Sequence, residues 1–166
     1  PIQGGLFSDL RTKSATEMGK FDFSVHPIGG IVPVMEQHRY REYAKIMLST
    51  LPYLPSNRPV HMFGCGHPML FPMSIALGAD LFDSAAYALF ARDGRILTPW
   101  GTEKLEHMVE WPIIMPCISQ YSPEEVRKMD KSDRMKLLSK YNLEITLAEL
   151  SRCRQAVRDG DCLLYT

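Results

Sequence analysis

The sequence predicts an α/β protein whose chain ends in a helical segment. Three observations support this fold class: short apolar strands alternate with helical patterns up to Asp83, glycine or proline follows most of the strands, and a long helical pattern fills residues 131–159. Strands that alternate with helices at this spacing form parallel sheets with right-handed crossovers. Four such strands are half the number in an eight-stranded α/β barrel.

The first part of the chain follows the order β-α-β-α-β-α-β. Its strands are predicted in PIQGG, FSVHPIGGIVP, VHMFGCGHP and ADLFD, and Ser8 is predicted to cap the first helix. A short third helix is predicted in MLFPMSIALG, and Pro72 argues against it. The second helix is amphipathic, because apolar side chains recur at the helical period at Tyr40, Tyr43, Ala44, Met47, Leu48 and Leu51.

The pattern changes after Asp83. GRILTPWGTEKL predicts a hairpin or an irregular loop, and Ser122 predicts the cap of a short helix that has proline at its first position. A final helix is expected from Lys131 to Asp159, with a break near Asn142 and an end at Gly160. We therefore expect a half-barrel in residues 1–110 and a helical segment in residues 111–166.

The composition is that of an ordinary globular protein. The 166 residues are 45% hydrophobic, and 19 basic side chains balance 19 acidic ones. A neutral surface argues against non-specific binding of nucleic acid over the whole molecule, but it allows a local basic patch. No apolar run reaches membrane-spanning length and no signal-like start is present, so we expect a cytoplasmic protein with no membrane partner.

The cysteines do not indicate a metal site. Their spacing contains no CxxC pattern, which predicts reduced thiols and neither disulfides nor a cysteine zinc site, at Cys65, Cys117, Cys153 and Cys162.

Glycines and polar groups mark the predicted strand ends. Gln3 precedes a glycine pair, Gly29 and Gly30 follow the second strand, and Asp83 ends the fourth. In an α/β barrel these ends meet on one face, where glycines admit a flat ligand and a glutamine amide offers a donor and an acceptor. This set suits a heterocyclic base, although each glycine pair could serve only a tight turn. Asp83 also has two interpretations, the N-cap of the next helix or a catalytic carboxylate.

Four ordered motifs carry a resemblance to a known family. IQGG, IGGIVPVME, HMFGCGHP and ADLFDSAAYALFARDGR together resemble the tRNA-guanine transglycosylases, in the form of the archaeal branch that starts archaeosine synthesis. The resemblance runs from Ile2 to about Asp159. It implies that the chain is the second half of a TIM (β/α)8 barrel with the helical segment that normally carries zinc.

The resemblance also implies a reaction and the residues that perform it. In this family a barrel aspartate attacks the anomeric carbon of a tRNA guanosine, guanine leaves, and 7-cyano-7-deazaguanine replaces it. By similarity Asp83 is the nucleophile, and the base-binding residues are Gln3, Gly29, Gly30, Ile31 and Val32. Arg92 and Arg95 follow the nucleophile and could meet tRNA phosphates.

The chain departs from the family pattern at the zinc site. The family has a C-x-C-x-x-C run and a later histidine, and the matching positions hold Ile113, Met115, Ile118 and Tyr141. These side chains lack the thiolate and imidazole donors of a tetrahedral zinc site. We therefore expect no metal or other cofactor, and we expect the four side chains to pack together.

The acid that protonates the departing base belongs to an earlier strand in this family and has no counterpart here. We expect the chain to need the first half of the barrel, either in one longer chain that extends before Pro1 or as a separate subunit, and a homodimer is a further expectation. The alternative function is a zinc-less paralogue or half-barrel subunit that binds tRNA or a partner without base exchange.

We interpret most of the remaining basic and histidine side chains as structural. His26 and His61 lie within strands and are interpreted as core histidines, and His67 is a weaker candidate for contact with tRNA or substrate. The charges in residues 124–140 and 151–158 are interpreted as a solvated helix face, because acidic side chains balance most of them.

Overall fold

The computed structural model describes residues 1–161. The strands are β1 (His26–Ile28), β2 (Val60–Met62), β3 (Leu81–Phe82), β4 (Arg95–Thr98) and β5 (Gly101–Lys104). The helices are α1 (Ser8–Met18), α2 (Val32–Glu36), α3 (Tyr40–Leu48), α4 (Phe71–Ala76), α5 (Ala86–Arg92), α6 (Pro123–Lys128) and α7 (Lys131–Asp159).

Packing divides the chain into two compact units. The sheet unit contains Pro1–Cys65 and Met73–Ser84, and the helical unit contains Gly66–Pro72 and the chain from Ala85 onward. Residues 85–110 thus belong to the helical unit, although the sequence predicts them in the half-barrel. The domain boundary after residue 110 stays a prediction.

The sheet unit contains a parallel sheet. β1, β2 and β3 are neighbours in sequence order, and Ile2 extends the sheet through a parallel bridge to Ile28. Sequential parallel strands with helices between them are the arrangement of a (β/α) barrel, so the predicted α/β class is confirmed. The first predicted strand is reduced to the bridge at Ile2, because the chain turns at Gly5, where φ is +57°.

The two faces of this sheet differ. Ile28, Val60 and Met62 lie on one face and are buried. Pro27, His61 and Leu81 are in register across the three strands and lie on the other face, because successive side chains of a strand alternate. We call this second face the open face, since Leu81 on it is 43% exposed. Gly29 and Asp83 continue the alternation of Pro27 and Leu81 on the open face.

In the sheet unit, the start of α1 differs from the sequence prediction. Ser8 is the first residue of α1 and not its cap, because the N-cap is Phe7 and no side chain bonds the first turn. The amphipathic pattern of α3 is confirmed at Tyr43 and Met47, which are buried, but it is wrong at Leu48, which is 61% exposed, while Ile46 outside the predicted stripe is buried.

Of the two predictions for GRILTPWGTEKL in the helical unit, a hairpin or an irregular loop, the structure has the hairpin. β4 and β5 pair in antiparallel orientation, with Arg95 opposite Lys104 and Thr98 opposite Gly101. The cap of α6 is also confirmed: Ser122 Oγ accepts a hydrogen bond from Glu125 N, and Glu125 accepts one from Ser122 N.

The last helix is longer than expected. α7 continues through Asn142, so the predicted break is wrong, and the helix ends at Gly160 in a left-handed conformation, as predicted. Asn142 does not disturb the helix because its side chain bonds to other elements. Its Oδ1 accepts from Leu97 N at 2.8 Å, and its Nδ2 donates to Tyr87 O at 3.0 Å and to Arg95 O at 3.2 Å.

Two further predictions concern thiols and membranes. Cys65, Cys117 and Cys153 are free thiols, and Cys162 lies outside the described residues. Within residues 1–161, every helix is too short or too polar to cross a bilayer.

Candidate active site

Asp83 lies just after β3, on the open face of the sheet. Its Oδ1 accepts a hydrogen bond from Gly64 N at 2.8 Å, and the side chain is 51% exposed. The next helix begins at Ala86, and its N-cap is Ala85. The capping interpretation of Asp83 is therefore wrong, and the carboxylate is accessible to a ligand.

A histidine lies beside this carboxylate. His61 Nε2 is 3.1 Å from Asp83 Oδ1. The approach follows from strand register: His61 is opposite Leu81, and Asp83 comes two residues after Leu81 on the same face. The sequence predicts a core histidine at His61 and does not predict this contact, because the contact depends on how β2 and β3 pair.

Gln3 covers the two glycines that follow β1. A Cβ atom added to Gly29 would lie 2.6 Å from Gln3 Nε2, and one added to Gly30 would lie 2.8 Å from Gln3 Oε1. Gly30 also has a φ of +69°. A side chain at either position would therefore displace the Gln3 amide, which is the end of an exposed side chain. The structure brings Gln3, Gly29 and Gly30 together.

Ile31 and Val32 present different groups. The Ile31 side chain is fully buried, whereas Val32 is 36% exposed and lies over Gly64, where an added Cβ would be 2.7 Å from Val32 Cγ2. Within residues 1–161, the N–H groups of Gly30 and Ile31 have no hydrogen-bond acceptor. The chain after β1 thus offers backbone donors beside the Gln3 amide.

Arg11 supports this edge of the sheet through hydrogen bonds to three backbone carbonyls. It is fully buried, its Nε donates to Gly5 O at 2.9 Å, and its Nη1 donates to Gly29 O at 2.8 Å and to Ile2 O at 3.2 Å. Its Nη2 is buried without a partner among the described residues. Burial lowers the pKa of Arg11. One arginine in a polar helix gives no sequence pattern that would predict this role.

Cys65 is close to the site but is not suited to nucleophilic attack. It is fully buried, and its Sγ lies 3.6 Å from Tyr43 OH, which also lies 2.6 Å from Ser74 Oγ. Burial raises the pKa of Cys65 to about 11. The side chain is therefore a thiol at neutral pH, and the thiolate is the nucleophilic form of cysteine.

The predicted phosphate-binding arginines belong to the helical unit. The Arg95 guanidinium stacks on Phe90, 4.2 Å from the ring centroid, and pairs with Asp93 at 3.3 Å. Arg92 is 63% exposed and lies 3.8 Å from Asp93. A phosphate that binds either arginine must therefore compete with the Asp93 carboxylate.

Arg92 also lines an open pocket of about 470 Å³. We call it the basic pocket, because its wall includes Arg92, Lys104, Arg127 and Arg134, with Asp93 and Glu106 as the acidic residues. Arg127 Nη1 donates to Leu105 O and Met108 O, and Arg134 Nη1 donates to Arg127 O. Arg127 and Arg134 are thus fixed in a pocket wall, and their assignment to a solvated helix face is wrong.

His67 lies in the helical unit as well. Its Nε2 is 3.0 Å from Thr102 Oγ1, and its ring packs edge-on against Phe90 with centroids 5.9 Å apart. The His67 side chain therefore packs between β5 and α5.

The four positions that match the family's zinc ligands lie in an apolar cluster. Ile118 and Tyr141 are fully buried, and Ile113 and Met115 pack against the same core. Tyr141 OH donates to Ile113 O at 3.0 Å, so the phenol is engaged by the backbone. Apolar side chains and an engaged phenol do not fit a tetrahedral zinc ion.

Cys117 is the one thiol among the described residues of this cluster. Burial raises its pKa to about 12, with a smaller contribution from Glu144, whose carboxylate accepts a hydrogen bond from Cys117 N. Within residues 1–161, no three side chains of the His, Cys, Asp and Glu types are close enough to share a metal ion.

Comparison with known proteins identifies the family. Residues 1–165 match the family model described as queuine tRNA-ribosyltransferase. The tRNA-guanine(15) transglycosylase of Methanocaldococcus jannaschii is 50% identical over 162 residues, and that of Methanococcus maripaludis is 48% identical over 163 residues; each alignment covers 96% of this chain and 25% of the relative. The corresponding protein of Thermococcus kodakarensis is 45% identical over 160 residues, which are 96% of this chain and 28% of that protein.

The chain therefore spans about a quarter of the length of these curated relatives. The predicted resemblance is confirmed, because the family model matches almost every residue and the identities extend along the chain. This chain belongs to the queuine tRNA-ribosyltransferase family, which contains the tRNA-guanine transglycosylases.

Proposed function

We propose that the protein exchanges guanine in tRNA for 7-cyano-7-deazaguanine through a covalent intermediate on Asp83. The observation that carries this proposal is the position of Asp83, half-exposed on the open face at the end of a parallel strand, with its Oδ1 held by Gly64 N. The archaeal relatives are tRNA-guanine(15) transglycosylases, which supports the substrate class.

In the first step Asp83 acts as the nucleophile. A carboxylate oxygen forms a bond to C1′ of the ribose, the C1′–N9 bond breaks, and its electron pair leaves with guanine. As the C1′–N9 bond breaks, positive charge develops on the ribose. The adjacent carboxylate stabilises this charge and then forms the bond to C1′, as in retaining glycosidases. The departing base takes up a proton, which by family resemblance comes from an acid on an earlier strand.

The second step reverses the first with a new base. N9 of 7-cyano-7-deazaguanine forms a bond to C1′ and passes its proton to the conjugate base of the acid that protonated guanine, and the bond between C1′ and Asp83 breaks. The carboxylate is regenerated, and no oxidant or reductant is consumed.

Gln3 and the chain after β1 form the proposed base-binding site. The Gln3 amide provides one donor and one acceptor group beside Gly29 and Gly30. The N–H groups of Gly30 and Ile31 and the backbone of Val32 provide further contacts. A purine-like base presents donors and acceptors along one edge, which this set of groups can match.

The basic pocket is the proposed contact for tRNA phosphates in the helical unit. Arg92, Arg127 and Arg134 present guanidinium groups, which bind phosphate oxygens through paired hydrogen bonds. Arg95 is the second proposed contact, since it is held flat against Phe90. The proposed partners are therefore tRNA, the 7-deazaguanine base and the first half of the barrel.

The alternative function is tRNA or partner binding without base exchange. The observation that favours it is the apolar cluster at Ile113, Met115, Ile118 and Tyr141, since these residues depart from the family's ligand set. We propose instead that hydrophobic packing replaces the metal in holding this segment.

Replacement of Asp83 distinguishes base exchange from binding without exchange. In the complete barrel, Asp83→Asn should abolish incorporation of labelled guanine into tRNA and the enzyme–tRNA adduct that survives denaturant. Asp9→Asn, at an exposed position in the first turn of α1, is the matched control and should retain both. Exchange by Asp83→Asn at a near wild-type rate, or no exchange by the wild-type barrel, would contradict the proposal.

A further inference from the structure

The Asp83 carboxylate has a second nitrogen neighbour besides Gly64, and the proposed function gives it no role. We propose that His61 is a positioning residue for Asp83. Together with Gly64 N–H it fixes Oδ1, and it leaves Oδ2 to attack the ribose. The inference rests on the proposed function, because it concerns the same carboxylate.

The two nitrogens approach the same oxygen. Gly64 N lies 2.8 Å and His61 Nε2 lies 3.1 Å from Asp83 Oδ1. Within residues 1–161, Oδ2 accepts no hydrogen bond. A carboxylate oxygen that is hydrogen-bonded by Gly64 N–H and also contacted by His61 Nε2 rotates less freely about its terminal torsion than one with a single contact. The free oxygen is therefore confined to a smaller set of positions.

His61 is itself held in place. It lies in β2, which has a hydrogen-bonded neighbour on each side, and its side chain is only 19% exposed. Its ring packs edge-on against Phe63, with centroids 6.0 Å apart. A short side chain with two torsions, fixed by a central strand and an aromatic neighbour, positions its partner more accurately than a long flexible cation.

This geometry predicts an effect on the chemical step. The reacting oxygen must approach C1′ in line with the departing base, and a misplacement of about 1 Å can lower a rate by about 100-fold. His61 is mostly covered, so it has little surface for contact with tRNA. Its loss should therefore lower kcat and the rate of adduct formation while leaving KM for tRNA nearly unchanged.

The test compares two substitutions in the complete barrel. His61→Leu removes the nitrogen, and we expect adduct formation in a single turnover to slow by about 10- to 100-fold with KM for tRNA within about threefold of wild type. His61→Gln places an amide nitrogen near the position of Nε2, and it should recover most of the rate. His107→Leu is the matched control at a 70% exposed histidine side chain and should behave as wild type.

The outcomes distinguish this inference from the proposed function. If the wild-type barrel exchanges guanine and Asp83→Asn does not, the proposed function stands. An adduct rate for His61→Leu within about twofold of wild type would then overturn the positioning role alone. Equal losses in His61→Leu and His61→Gln would also overturn it, because the nitrogen would then not be the group that matters. A loss that falls on KM, with kcat unchanged, would assign His61 to tRNA binding instead.

Discussion

Gln3 approaches two glycines so closely that a side chain at either position would displace its amide. Its amide atoms occupy the positions where Cβ atoms at Gly29 and Gly30 would lie, and Arg11 ties the same strand ends together through the carbonyls of Ile2 and Gly29. A buried cation that donates to backbone carbonyls resists displacement, because its hydrogen bonds replace those lost from water. The proposed base site is therefore formed before a ligand arrives.

Gly30→Ala should weaken base binding. The methyl group would meet Gln3 Oε1 at 2.8 Å, and the positive φ of +69° adds strain of about 1 kcal/mol. Gly160→Ala is the matched control, because Gly160 has a φ of +67° and no atom within 4 Å of the added carbon. Both variants should lose similar stability in thermal unfolding, and only Gly30→Ala should raise KM for the free base. Equal KM values in the two variants would contradict the role of Gln3.

Asn142 joins three elements of the helical unit. From the middle of α7 it bonds Leu97 N on β4 and carbonyl groups on α5 and β4. An asparagine inside a helix often competes for its own backbone, but here these partners use its hydrogen-bonding groups. The contact explains how a polar residue can be fully buried within a continuous helix.

Asn142→Ala should destabilise the helical unit. The substitution leaves the buried Leu97 N–H without its acceptor and frees two carbonyls, which together should cost about 3 kcal/mol. Gln155→Ala on the same helix is the control, because Gln155 is exposed, and its cost should stay within about 0.5 kcal/mol. Denaturant unfolding measures both values. Equal free energies of unfolding for Asn142→Ala and wild type would show that water replaces the lost partners.

The segment from Trp111 to Ile118 is held by packing in this structure. Its side chains join a core that includes Val126, Leu138 and Ile145, and the Trp111 ring lies 5.5 Å from that of Tyr141. Apolar burial contributes about 25 cal/mol for each Å² removed from water, so a few such side chains can supply several kcal/mol.

The protein should therefore contain far less than one zinc per chain. Elemental analysis of protein purified without chelator measures this directly, and a chelator should leave the unfolding temperature unchanged. The variant I113C/M115C/I118C/Y141H restores the family's ligand types and should bind zinc, since thiolate and imidazole are the donors that zinc prefers. A stoichiometric, tightly held zinc in the wild-type protein would contradict the prediction.

At the scale of the whole molecule, the proposed reaction needs groups that this chain does not supply. The sheet unit provides a carboxylate and the proposed base site, but by family resemblance the acid for the departing base lies on an earlier strand. Without it guanine would leave as an anion, and general acid catalysis contributes about 100- to 10,000-fold to a rate. An incomplete barrel also leaves the reacting charges in contact with water, which weakens electrostatic stabilisation.

The 166-residue chain alone should therefore be inactive in tRNA guanine exchange. Mixing it with a polypeptide that supplies the first four βα units should restore exchange, and the two should elute together in size-exclusion chromatography. The same mixture with the Asp83→Asn chain is the control and should assemble without activity. Robust exchange by the isolated chain would contradict this prediction and would indicate a site assembled within a homo-oligomer.

The sequence by itself determined the α/β class, the hairpin, the cap of α6 and the end of α7, because short-range patterns specify these features. It also determined the family, because IQGG, HMFGCGHP and the other motifs keep their order and spacing. It did not reveal that Asp83 lies beside His61 or that Arg11 binds the carbonyl groups of Ile2 and Gly29. Those contacts join residues far apart in the chain, so they depend on strand register and helix packing, which only the tertiary structure decides.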